Sequence, residues 1–261
     1  MGRFSSLEIN EPPEPETQSG PQAAGELIKD AQYFLDEGER AFYRMEYEDA
    51  LRNYSRASGE DTGSIDAWQG QVFSLIELEE YHEAGIWLDK AQELLGETPD
   101  FLALQALIAT RTGEFERACA YSDASLQAGG ASPLPFLVRG ELFSYAKKNS
   151  EQCFNQACAL AESSWKIRIL IADACLFSRK RVSRALALKY LLPALDQYPL
   201  KPELHLHLAR VRIVLHDKKA ASDALDRAEG LDSTMKRIRE MRTEIEKCGF
   251  WHRFFHWRET R

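Results

Sequence analysis

Apolar residues recur at intervals of three and four along most of the chain, which places them on one face of a helix. Strand-type alternation is nearly absent. First helices are predicted over roughly 26–44, 65–78, 99–112, 134–147, 165–178 and 203–216. Second helices are predicted over roughly 47–59, 81–94, 115–127, 150–162, 181–197 and 219–230. Met235, Ile238, Met241 and Ile245 share one face of a final helix near 233–247. Proline, which starts or stops helices, supports these boundaries. Pro99, Pro133, Pro135, Pro199 and Pro202 stand between periodic segments, whereas Pro193 lies inside one and is expected to bend it. Pro12, Pro13, Pro15 and Pro21 alternate with Glu8, Glu11, Glu14 and Glu16, so residues 1–25 are read as an acidic, solvated tail.

The segments repeat. An aromatic followed three residues later by Ala occurs at Tyr47/Ala50, Tyr81/Ala84 and Phe115/Ala118, a period of 34. The register continues through Cys153, Ala187 and Ala221, with one extra residue before Cys153. Seven residues beyond each marker stand Ala57, Ala91, Ser125, Leu160, Ala194 and Ala228, mostly small. Closely crossing helices need small side chains where they meet. The domain reading is therefore a tail over 1–25, six repeats over 26–235, and a capping helix with its terminal segment over 236–261.

This pattern resembles the tetratricopeptide repeat family over about residues 31–235. Trp68, Tyr81, Ala84 and Ala91 fit its second repeat, Gly113 fits a turn, and Pro199 fits a repeat end; Val72 and Cys153 depart from the consensus. The resemblance implies an all-α fold, a right-handed α-solenoid of helix-turn-helix repeats closed by a C-terminal capping helix. It also implies a concave groove lined by first helices that holds a peptide or helix of a partner protein. Mapped onto this chain, the lining is Asp36, Glu39, Tyr43, Phe73 and Glu77 at an acidic entry. Leu104, Leu107, Arg111, Val138, Glu141 and Tyr145 form an apolar centre, and Asp173, Lys180 and Arg210 lie toward a basic exit. Family members that grip an acidic C-terminus place cations or neutral donors where this chain has Leu35, Glu39, Gly70, Asp100 and Leu104. The two acids repel such a ligand.

Composition narrows the function. Of 261 residues 44% are hydrophobic, enough for a core, and no window approaches the apolar length of a membrane span. Five Cys without a CxxC pair, and no signal-peptide pattern, lead to the expectation of a reduced, cytoplasmic protein. The net charge of −8 is unevenly divided, about −16 over residues 1–100 and +8 over the remainder. Such polarity orients encounters with charged partners and disfavours a nucleic-acid role. No phosphate loop, nucleophile elbow or zinc-protease helix occurs. His252 and His256 lack a third ligand, so no metal, cofactor or catalytic residue is expected. The basic run Arg179-Lys180-Arg181 reads as a solvated turn.

The terminal segment is unusual. Phe250, Trp251, Phe254, Phe255 and Trp257 crowd eight positions, accompanied by Arg253. Burying such a ring stabilises by roughly 1.5–3 kcal/mol, so these rings are expected to pack. Three readings stay open: a cap on the last repeat, an interfacial anchor with bases toward anionic lipid, or a partner contact. The leading expectation is a non-catalytic protein-interaction scaffold. The alternative is an assembly factor held peripherally at a membrane by this segment.

Overall fold

The computed structural model describes residues 29–162, 164–177 and 181–246. The acidic tail, Lys180 and the aromatic segment from Phe250 to Trp257 lie outside the described residues. Helices are α1 (Ala31–Tyr43), α2 (Tyr47–Glu60), α3 (Ile65–Glu77), α4 (Tyr81–Leu95), α5 (Pro99–Thr112) and α6 (Phe115–Ala128). They continue with α7 (Leu134–Tyr145), α8 (Glu151–Leu160), α9 (Trp165–Phe177), α10 (Arg181–Gln197), α11 (Pro202–Val214) and α12 (Lys218–Leu231). A last helix, α13, occupies 236–246. No strand occurs among the described residues, and no described helix is long and apolar enough to cross a membrane.

Local chemistry sets the ends. Asp30 caps α1, its Oδ1 accepting from Tyr33 N at 2.9 Å, so the helix begins later than the periodicity alone predicts. Ser64, Thr98 and Asp217 cap α3, α5 and α12 through the same kind of side-chain acceptor, and Pro99 fills the first position of α5. Helix α10 continues through Pro193, where the ring removes one N–H from the helical ladder.

The repeat is also written in the backbone. Met45, Glu79, Gly113 and Lys147, spaced 34 apart, and then His216, all take the left-handed conformation, with φ between 58° and 83°. After the last four of these, the next N–H reaches back five residues: Glu80 to Leu75 O, Glu114 to Ala109 O, Lys148 to Phe143 O and Asp217 to Arg212 O, at 2.8–2.9 Å. This is the Schellman closure of a helix end. Only Gly113 adopts that φ without a Cβ penalty.

The described residues group into two compact units. One contains those up to Phe42 together with Tyr47–Glu97; the other contains Tyr43–Glu46 and those from Thr98 onward. In the first unit α3 packs against both α2 and α4 around buried Leu51, Trp68, Leu75 and Leu88. The ring of Tyr54 lies between α1 and α3 because both helices present glycine there. A Cβ on Gly38 would meet the ring at 2.9 Å, and one on Gly70 would come within 2.6 Å of Cδ1.

In the second unit α5–α6, α7–α8, α9–α10 and α11–α12 form hairpins, and α5, α7, α9 and α11 pack successively in a row. Of the expected stripe, Met235, just before α13, and Ile238 and Met241 within it are buried, whereas Ile245 is half-buried; Arg242 pairs with Asp226 and Glu229 of α12.

The α7–α8 crossing corrects the sequence register. Cys153 is half-buried rather than central, and fully buried Phe154 occupies the crossing. Ala157, not Leu160, is the buried small residue that follows. Gly140 on α7 makes the room, since a Cβ there would stand 2.5 Å from Phe154 Cδ1. Bulk and smallness have exchanged helices. Tyr190 of α10 packs its ring edge-on to Phe154, with centroids 5.8 Å apart.

Candidate interaction surface

Side chains from four successive first helices of the second unit form one connected group. Arg111 ends α5, where a cation suits the helix dipole. Its guanidinium makes a two-pronged pair with Glu141 of α7, Nη2 donating to Oε2 at 3.1 Å. The same guanidinium lies 4.1 Å from the ring centroid of Phe177 on α9, a cation–π contact. Phe177 stacks with Tyr145 of α7 at 6.1 Å between centroids. One turn before Phe177, Asp173 accepts from Arg210 Nη1 of α11 at 3.0 Å.

His207, one turn before Arg210, completes this cluster. Its Nδ1 lies 3.3 Å from Asp173 Oδ1, and its Nε2 lies 3.0 Å from the Tyr43 carbonyl. Both partners are groups that can accept a hydrogen bond from the ring. Burial alone would raise the Asp173 carboxyl. The charges of His207, Arg210 and Arg111, with the His207 hydrogen bond, outweigh it and hold Asp173 below the ordinary carboxylate range.

Tyr43–Glu46 sits beside this cluster within the same unit. The Tyr43 ring meets Trp165 edge-on at 5.1 Å. Arg44 pairs with Asp232 at the end of α12, and its Nε lies 3.9 Å from Glu203 Oε1 at the start of α11. Met45 is buried, and Glu46 Oε1 accepts from Lys236 N, at the start of α13, at 2.9 Å. A carboxylate there suits the helix N-terminus.

The predicted lining therefore divides. Arg111, Glu141, Tyr145, Asp173 and Arg210 are brought together on the α5–α7–α9–α11 row. Tyr145 is 45% exposed and the Arg210 side chain 31%, so both are open to a partner. Leu104, Leu107 and Val138 are 0%, 3% and 1% exposed; they belong to the core and supply no apolar groove surface. Tyr43 is buried against Trp165. In the first unit exposed Asp36 accepts from Gln32, and half-buried Phe73 meets Phe42 edge-on at 6.1 Å. Glu39 and Glu77 are half-buried. Burial first, then Glu39 and Asp66, push the Tyr54 hydroxyl far above its usual range.

Trp165, Phe177, Glu203 and Asp232 were not singled out as lining in the sequence. The available signal was the four-residue spacing of Asp173 and Phe177 on α9. No group of three or more His, Cys, Asp or Glu suited to a metal occurs among the described residues.

Period, hairpin pairing and recurring left-handed turns together define an all-α fold of repeated helix hairpins. No family model and no curated protein matches the chain. Solved structures do. The Cut9–Hcn1 hetero-tetramer of APC/C is 17% identical over 83% of this chain and 43% of that one, with a TM-score of 0.47. A tetratricopeptide repeat protein from Parabacteroides merdae is 16% identical over 84% and 85%, with a TM-score of 0.48. Yeast Tom70 is 15% identical over 87% of this chain and 48% of its own, with a TM-score of 0.48. The chain spans less than half the length of the first and third of these.

Proposed function

We propose that the protein is a non-catalytic interaction scaffold that holds a peptide or helical segment of another protein on the α5–α7–α9–α11 row. The carrying observation is the connected group of Arg111, Glu141, Tyr145, Asp173 and Arg210, which come from four separate helices. Each repeat contributes one or two side chains to one face, as an extended ligand requires. The row offers an accessible aromatic at Tyr145 and an accessible cation at Arg210. A segment carrying an acid near an aromatic or apolar residue fits that pair.

Charge reversal tests the reading without opening the core. Arg210→Glu is expected to abolish capture of partners from the native cell, whereas Glu39→Arg tests the acidic entry of the first unit separately. If both folded variants retain every partner of the unaltered protein, the row is not the binding face.

A further inference from the structure

The four residues Tyr43–Glu46 are held by the second unit as a bound peptide would be, each by a different chemistry. The ring of Tyr43 rests edge-on against Trp165, and its carbonyl meets His207. Arg44 enters between Asp232 and Glu203, Met45 is buried, and Glu46 takes the first amide of α13. Aromatic, base, apolar residue and acid are thus read in order. The segments on either side of these four residues belong to the first unit.

The fit is incomplete at its centre. Arg44 Nε and Glu203 Oε2 are both buried without a hydrogen-bond partner among the described residues. The 3.9 Å between Arg44 Nε and Glu203 Oε1 is too long for a hydrogen bond. A buried carboxylate oxygen and a guanidinium N–H left unmatched beside one another favour any ligand that closes the gap. Met45 also holds a φ of 58°, a conformation that L side chains rarely adopt. An arginine delivered on a segment free of the α1–α2 turn has neither constraint.

We infer that the surface formed by Trp165, His207, Glu203, Asp232 and the start of α13 is a peptide-recognition site occupied by the chain's own Tyr43–Glu46. In this reading it accepts, in exchange, a partner segment of the pattern aromatic–arginine–apolar–acid. The site differs from the α5–α7–α9–α11 face, and its probe is a peptide of the chain's own sequence rather than a captured partner. The two readings therefore fail separately. Because the internal segment competes at high effective concentration, the site is masked until that segment is weakened or outcompeted.

The test titrates a fluorescent peptide of the sequence of residues 41–48 into the full-length protein and into its Arg44→Ala variant, following anisotropy. Arg44→Ala weakens the internal occupant while leaving Asp232 and Glu203 in place. The variant is expected to bind the peptide at least tenfold more tightly than the unaltered protein. Replacing the arginine of the peptide with Ala, or Glu203→Gln in the variant, is expected to reverse that gain. Should Arg44→Ala lose its helical circular dichroism, Glu46→Ala serves as the opening variant with the same readings. A folded opening variant that binds no better than the unaltered protein, or that binds the arginine-less peptide equally well, overturns the proposal. Dimerisation of the unaltered protein that Arg44→Ala abolishes and the peptide does not disperse would assign the site to a second copy, and would overturn it too.

Discussion

Replacing Gly140 with Ala adds one methyl group to the α7–α8 crossing, and two opposed effects decide its outcome. Ala is the better helix former, by about 1 kcal/mol within a helix. The new Cβ, however, would stand 2.5 Å from Phe154 Cδ1 and 3.0 Å from Cζ, with Cε1 nearer still. Carbon atoms prefer about 3.5–4.0 Å, so the ring would have to retreat by about 1 Å. Phe154 is fully buried and packed edge-on by Tyr190, which restricts that retreat. Overpacking of this kind costs about 1–3 kcal/mol, and the short contacts place it toward the upper end. The net expectation is destabilisation by about 2 kcal/mol, or roughly 4–8 °C in melting temperature. In a Phe154→Ala background the clash is gone and only helix propensity remains, so the same Gly140→Ala change is expected to stabilise by about 1 kcal/mol. The coupling between the two sites is then about 3 kcal/mol. Thermal and urea unfolding of the four proteins measures it. A Gly140→Ala effect of the same sign in both backgrounds would refute the exchange of bulk for space.

Other consequences are open to measurement. A left-handed φ costs an L-residue about 1–2 kcal/mol, so Gly113→Ala is expected to lose about 1 kcal/mol while Glu79→Gly gains up to about that much; matched urea midpoints would contradict this account of the turns. Asp173 is held below the ordinary carboxylate range, so its stabilisation is fully present above about pH 4 and is lost as the pH falls through its lowered value. Asp173→Asn should therefore cost about 2–3 kcal/mol at neutral pH, with a gap to the unaltered protein that narrows in acid; a gap independent of pH would argue against the ionised cluster. Deleting residues 249–261 separates the readings of the aromatic segment. A sharp fall in melting temperature, without flotation of the intact protein on anionic liposomes, assigns a cap, and flotation lost on deletion assigns an anchor.

Most helix boundaries were legible because punctuation and periodicity agree. Thr98-Pro99 opens α5, Gly113 closes it, and the interval between them carries the helical period. At α7–α8 the same logic slipped by a residue. It sought a small side chain on the second helix, whereas here the small residue, Gly140, stands on the first. Periodicity fixes which residues share a face, but a crossing is settled by the combined volume of both helices.

The surface was less legible, for a different reason. Leu104, Leu107 and Val138 satisfy the spacing of a groove lining, yet an apolar residue turned toward a neighbouring helix satisfies it equally well. Charged residues discriminate better, because a buried charge without a partner is costly. Arg111, Glu141, Asp173 and Arg210 meet that requirement through one another, and each pair joins helices from different repeats. A repeat pattern makes such pairs visible, since the partners lie about one repeat apart. The contacts of Tyr43–Glu46 with His207, Asp232 and Lys236 have no such signal. They span 164–190 residues, and no period relates their ends. Arg44 and Met45 look ordinary in sequence; Met45 carries the left-handed φ that recurs at the repeat turns, and Arg44 Nε is buried without a hydrogen-bond partner among the described residues. Both are unfavourable locally and persist only because the surrounding contacts outweigh them, so weakening those contacts should release this segment before the helices of its unit unfold.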